Sequence, residues 1–261
     1  MMIISNGVRL YFEQRGAGTP ALVFLHYWGG SSQTWQHVVE RLSIDYRTVA
    51  IDQRGWGQSE APAGGYALAD MAADAVGVIE ALDLESYVLV GHSMGGKVAQ
   101  LIASLRPRGL IGLALVAPSP PTPLPMPIEA RQGMVAAYDT RDSVIATVEH
   151  VLAPGGLDPR DLEIVIADSL RGSPVAKAAW PLSASQEDIG ALVSQIDVPV
   201  LIASGSGDQV DPPEVLQREL LPRIPHADFH ELPKVGHLVP LEAPAVLAGL
   251  IGNFVASVAP D

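Results

Sequence analysis

The run Tyr87-Val88-Leu89-Val90-Gly91-His92-Ser93-Met94-Gly95-Gly96 decides the fold of this 261-residue chain. Four apolar residues lead straight into Gly-x-Ser-x-Gly, and residues 93–105 then carry apolar positions at helical spacing. A strand that turns abruptly into a helix across this motif forms a nucleophile elbow. The spacing has a steric cause. The turn lifts Ser93 over the end of a sheet in strained backbone. Side chains two residues to either side would collide, so Gly91 and Gly95 stand there. The helix start also directs free N–H groups and the positive end of its dipole at any anion formed beside Ser93.

Outward from the elbow, short apolar runs at residues 8–14, 21–25, 47–51, 110–116, 198–203 and 229–232 read as strands. They alternate with helix-patterned segments at 34–42, 68–82, 213–220 and 244–257. Continuous apolar strands separated by helices predict an α/β fold, a mostly parallel twisted sheet with helices on both faces. The alternation stops after Pro118. Six prolines from Pro118 to Pro127 exclude helix and central strand there. Helix-like stretches follow at 128–138, 142–152, 159–170 and 183–195. The expected organisation is a core of residues 1–117 and 198–261 with a helical cap inserted at 118–197.

Composition narrows the function classes. The chain carries 29 acidic against 16 basic residues, a net charge of −13, and no basic cluster. Nucleic acid and anionic membrane surfaces are therefore not expected partners, and a small molecule is. Self-association is left open. The absence of cysteine removes disulfides, a thiol nucleophile and thiolate metal sites. Histidines and carboxylates show no ligand spacing, so neither metal nor organic cofactor is expected. The N-terminus lacks the basic start and apolar stretch of a secretory signal. The most apolar window, 110–117, is far shorter than the roughly 20 residues of a membrane helix. A soluble, cytoplasmic protein is expected.

A serine hydroxyl needs a base to take its proton and an acid to orient that base. Of seven histidines, His237 stands between the last strand and last helix, where its loop opens at the same sheet edge as the elbow. The strand ending near Ser204 runs into Gly205-Ser206-Gly207-Asp208-Gln209-Val210-Asp211-Pro212. Asp208 suits the acid; Asp211, before two prolines, suits a helix N-cap. The order Ser93, Asp208, His237 is the one associated with this elbow. An oxyanion hole needs two N–H donors. Met94 is one candidate, and the loop His26-Tyr27-Trp28-Gly29-Gly30 supplies the other, Trp28 before Tyr27. Candidate pocket lining comprises Tyr27, His92, Met126, Met134, Tyr138 and Trp180. As the neighbour of the nucleophile, His92 is expected to turn its side chain away from the hydroxyl.

With these residues in place, the chain resembles the α/β-hydrolase superfamily, in its cap-bearing esterase-like branch, over about residues 19–254. The resemblance rests on Leu25 to Gly30, on Asp52-Gln53-Arg54-Gly55-Trp56-Gly57-Gln58-Ser59, on Gly91 to Gly96, on Gly205 to Asp208, and on Gly236-His237 with Glu242-Ala243-Pro244. It implies an α/β-hydrolase fold and a Ser93–Asp208–His237 triad. It also implies a structural role for the 52–59 loop. One departure stands out: Tyr27 occupies the place where the family usually has glycine, and it is expected to border the acyl-binding side. The activity expected is hydrolysis of a small carboxylic ester or lactone through an acyl-enzyme on Ser93. A carbon–carbon bond hydrolase, a cofactor-free oxygenase using the His–Asp pair, and a triad-bearing receptor with negligible turnover remain open beside it.

Overall fold

Along each central strand, successive side chains enter two different apolar clusters, which is why these strands read as unbroken apolar runs. Val23 and Leu25 pack on one face and Leu22 and Phe24 on the other. Leu113 and Leu115 likewise oppose Ala114 and Val116. The computed structural model describes residues 1–259. Its strands are β1 (Met2–Ser5), β2 (Val8–Arg15), β3 (Ala21–Leu25), β4 (Thr48–Ile51), β5 (Tyr87–His92), β6 (Leu110–Val116), β7 (Val200–Gly205) and β8 (Asp228–Leu232). They form one sheet in the order β1-β2-β4-β3-β5-β6-β7-β8. β2 pairs antiparallel with β1 and β4, and β3 to β8 run parallel.

The helices are α1 (Gln36–Leu42), α2 (Leu68–Ala81), α3 (Met94–Ser104), α4 (Ile128–Val135), α5 (Arg141–Thr147), α6 (Pro159–Arg171), α7 (Pro174–Leu182), α8 (Gly190–Val193), α9 (Pro213–Glu219), α10 (Val239–Glu242) and α11 (Pro244–Val258). Residues of α1 and α11 cover one face of the sheet, those of α2 and α3 the other. α4 to α8 all lie between β6 and β7 in sequence. Among the described residues no helix is long and apolar enough to cross a membrane.

The chain leaves β3 for β4 on one side and crosses back to β5 on the other. That reversal opens a crevice at the carboxyl ends of β3 and β5, the place where open α/β sheets form sites. Leu25 is paired with Gly91, so the loop after β3 lies against the elbow after β5.

Several local expectations need correction. Residues 183–195 form no single helix: Ala184–Gln186 is a short 3-10 turn and α8 follows separately. A helix forms instead just before this stretch, where none was expected: α7 begins at Pro174, a first-turn position where the missing N–H has no cost. The expected helix 142–152 changes at Val148 into a π turn. β1 and α10 are additional elements, too short to show a period.

Arg54, in the loop after β4, makes two 2.6 Å hydrogen bonds to the Asp74 carboxylate on α2. Both side chains are only 4% exposed. Removing one partner of a buried pair strands the other charge. Asp74→Ala is expected to lower the free energy of unfolding by about 3–5 kcal/mol, read from urea denaturation.

Candidate active site

The elbow takes the backbone that its glycines predict. Ser93 sits at φ 52, ψ −115, between β5 and α3. A Cβ on Gly91 would lie 2.5 Å from the Gly95 carbonyl oxygen, and one on Gly95 would lie 2.6 Å from the carbonyl oxygens of Leu25 and His26. Met94, the residue after the elbow serine, opens α3. Neither its N–H nor that of Trp28 has a hydrogen-bond acceptor among the described residues. Tyr27 is absent from the residues at positive φ, so a side chain replaces the usual glycine without backbone strain.

His237 follows β8, and its own N–H donates to the Leu152 carbonyl at 2.7 Å. Its Nδ1 lies 2.8 Å from Asp208 Oδ2. The second Asp208 oxygen, Oδ1, accepts from the N–H groups of Val210 at 2.8 Å and Asp211 at 3.1 Å. A carboxylate on Nδ1 places the ring proton there and leaves Nε2 as the basic nitrogen. Burial opposes charge on both groups, but their mutual attraction wins. The Asp208 carboxyl is held below its ordinary range by the His237 charge and hydrogen bond, together with the two backbone donors. The His237 imidazole is raised above its ordinary value by Asp208 and, further off, by Asp211 and Glu242. The site is thus poised to stabilise an imidazolium.

Ser93 and His237 open on one cavity of about 370 Å³. Tyr27, Trp28, Met126, Met134, Tyr138 and Trp180 line it as well, so the sequence-predicted pocket residues meet there with one exception. That exception is His92. As the last residue of β5 it points beneath the site, fully buried, and its Nε2 donates to the His237 carbonyl at 2.8 Å. Its ring packs against those of Tyr27 and His237, both at 5.2 Å between centroids. Burial, then the neighbouring His237 charge, pushes its pKa well down, so it stays neutral. His92 supports the catalytic histidine candidate from behind and takes no part in the lining.

A second correction concerns Asp211. Pro212 occupies the N-cap of α9 with no side-chain cap, and Asp211 is instead buried at 2% exposure. Its backbone N–H serves Asp208, and burial raises its own carboxyl to about 8. Asp52 behaves as the resemblance implies. Its carboxylate accepts the N–H groups of Ser32 and Gln58, at 2.6 and 2.8 Å, which ties the 52–59 loop to the start of the first helical turn after β3.

Sequence reasoning missed Lys97. One turn into α3, its buried ammonium donates to the carbonyls of Thr122 and Ser185, and burial lowers its pKa to about 8. It fastens the proline-rich connection to the elbow helix. The signal was a lone cation inside an apolar helical pattern. No cluster of histidine and carboxylate side chains suited to a metal occurs among the described residues.

A mostly parallel sheet switching direction beside a serine elbow, with an Asp–His pair after its last two strands, defines the α/β-hydrolase fold. Residues 22–250 match the sequence profile of the alpha/beta hydrolase family, and the chain belongs to that family. It is 30% identical over 230 residues to a non-heme chloroperoxidase of Streptomyces lividans, covering 80% of this chain and 82% of that protein. Among solved structures, an esterase from Exiguobacterium antarcticum aligns with a TM-score of 0.89 and 25% identity over 98% of each chain. An N-acyl homoserine lactone degrading enzyme aligns with a TM-score of 0.84 and 28% identity, over 98% of this chain and 100% of that one. The family and these neighbours support a hydrolase.

Proposed function

We propose that the chain hydrolyses small, uncharged carboxylic esters or lactones through an acyl-enzyme on Ser93. The observation that carries this reading is the strained Ser93 elbow sharing one cavity with a His237 ring held at 2.8 Å by Asp208. Ser93 Oγ attacks the carbonyl carbon while His237 Nε2 takes its proton. Asp208 stabilises the imidazolium, and the N–H groups of Trp28 and Met94 receive the oxyanion. Collapse expels the alcohol, which takes the proton from His237. Water, deprotonated by the same nitrogen, then releases the acid and restores Ser93. Residues 118–197 act as a cap over a core of residues 1–117 and 198–261, supplying Met126, Met134, Tyr138 and Trp180 to the pocket wall. No lysine, arginine or carboxylate lines that cavity, which favours an uncharged acyl group.

The chloroperoxidase relative supports a second outcome for the same intermediate. Hydrogen peroxide in place of water would take the acyl group from Ser93 and leave as a peracid, with the Ser93 proton restored through His237.

A p-nitrophenyl ester series from acetate to octanoate tests the reading. The cavity, about 370 Å³, stands at the small end of ligand pockets. Turnover is expected to peak at butyrate or hexanoate and to fall at octanoate. Folded protein that cleaves none of them would sink the ester assignment.

A further inference from the structure

The loop after β3 is held from two sides. From the core, the Tyr27 carbonyl accepts hydrogen bonds from His26 Nδ1 at 2.7 Å and from the Gly30 N–H at 3.1 Å. In a trans peptide C=O and N–H point oppositely, so anchoring the Tyr27 carbonyl fixes the direction of the Trp28 N–H. The Trp28–Gly29 peptide is held from the segment between β6 and β7, and the Gly29–Gly30 peptide both from that segment and by its own N–H on the Tyr27 carbonyl. Tyr138 Oη donates to the Trp28 carbonyl at 3.0 Å, and Ser169 Oγ donates to the Gly29 carbonyl at 3.1 Å. Trp28 Nε1 donates to the Lys177 carbonyl at 3.2 Å, and Lys177 Nζ returns to the Tyr138 carbonyl at 2.7 Å. At the loop's far end Ser31 Oγ donates to Asp168 Oδ2 at 2.6 Å.

These bonds bear on a flexible joint. Gly29 lies at φ +103, in backbone that glycine enters freely and leaves as freely. A Cβ there would stand 2.5 Å from the Tyr138 ring, so the residue is glycine by steric need and pinned by neighbours rather than by its own side chain. Without the pins, the Trp28–Gly29 and Gly29–Gly30 peptides could rotate and withdraw the Gly30 N–H from the Tyr27 carbonyl, leaving His26 Nδ1 alone to set the line of the Trp28 N–H.

We infer that Ser169 and Tyr138 are positioning residues for the oxyanion hole, so that the helical segment between β6 and β7 completes the transition-state site as well as walling the pocket. The inference rests on the ester-hydrolase reading and on Trp28 as an oxyanion donor. Ser169 is the cleaner probe, because it lies outside the cavity lining.

The test compares wild type, Ser169→Ala, Ser169→Thr and Tyr138→Phe. It measures kcat and KM on p-nitrophenyl butyrate, Ki for butylboronic acid, and the melting temperature. A boronic acid adds to a serine as a tetrahedral anion and so reads the oxyanion hole directly. Ser169→Ala is expected to lower kcat about 10-fold, since sub-ångström to ångström misplacement in such sites costs up to about 100-fold. KM should stay within about twofold. The boronate Ki should rise in parallel, and Ser169→Thr, which keeps the hydroxyl, should restore both. Tyr138→Phe is expected to follow the same course in kcat and Ki. Variants with a lowered melting temperature but unchanged kcat and Ki would overturn the inference and leave mere tethering. So would a change confined to KM, or a loss of kcat with an unmoved Ki. Wild type that cleaves ester but gives variants identical to itself overturns the inference alone. Wild type that neither cleaves ester nor binds the boronate overturns the proposed function with it.

Discussion

Ser93→Ala is expected to lower kcat for p-nitrophenyl butyrate by about 10⁴- to 10⁶-fold, the loss seen when a triad nucleophile is removed. The residue stands at φ 52 in the elbow, and alanine is no larger than serine, so the backbone and cavity should survive the change. What goes is the oxygen that would form the proposed covalent ester. Circular dichroism and melting temperature close to wild type would assign the loss to chemistry. Retained turnover would instead place the reaction on the His237–Asp208 pair alone, as in cofactor-free oxygenation, and the acyl-enzyme would be abandoned.

The second large effect belongs to Asp208→Asn, expected to cost about 10⁴-fold in kcat. The local hydrogen bonds set the outcome. Asp208 Oδ1 accepts two backbone N–H groups, so the asparagine oxygen is drawn to that position and its amide nitrogen faces His237 Nδ1. The ring must then carry its proton on Nε2, the nitrogen that in the proposed mechanism accepts one from Ser93. The pH profile gives a second readout. In the proposed mechanism neutral His237 is the active form, and Asp208 raises its pKa above 6.5, so the acid limb of kcat/KM in wild type should inflect above that value. Removing the carboxylate withdraws the largest raising influence on a buried imidazole. The limb should therefore move to lower pH in Asp208→Asn. An unmoved limb would mean that another group controls it.

Tyr27 shows how far a linear pattern reaches. Its departure from glycine and its place beside the pocket are legible from position, since a loop ending β3 must lie near one ending β5. That its ring would pack on His92, 65 positions on, and that His92 would support His237, 145 positions further, rather than line the cavity depends on contacts far apart in sequence. No local pattern encodes that contact. Asp211 makes the same point: before two prolines it has the residue type of an N-cap, yet burial beside the acid loop overrides that preference.

The sequence by itself determined the alternation of parallel strands and helices, the elbow, and the chain order of Ser93, Asp208 and His237. These follow from forces acting within a few residues: steric limits at a turn, apolar periodicity along one element, and the loop that ends a strand. Only the tertiary structure decided that His92 holds the His237 carbonyl, that α7 forms where no helix was expected while 183–195 breaks up, and that Tyr138 and Ser169 pin the Trp28 loop. Those bonds join residues 110 and 140 positions apart. Such contacts exist only after the sheet has placed its crossovers, and their stability depends on burial that no short segment achieves alone.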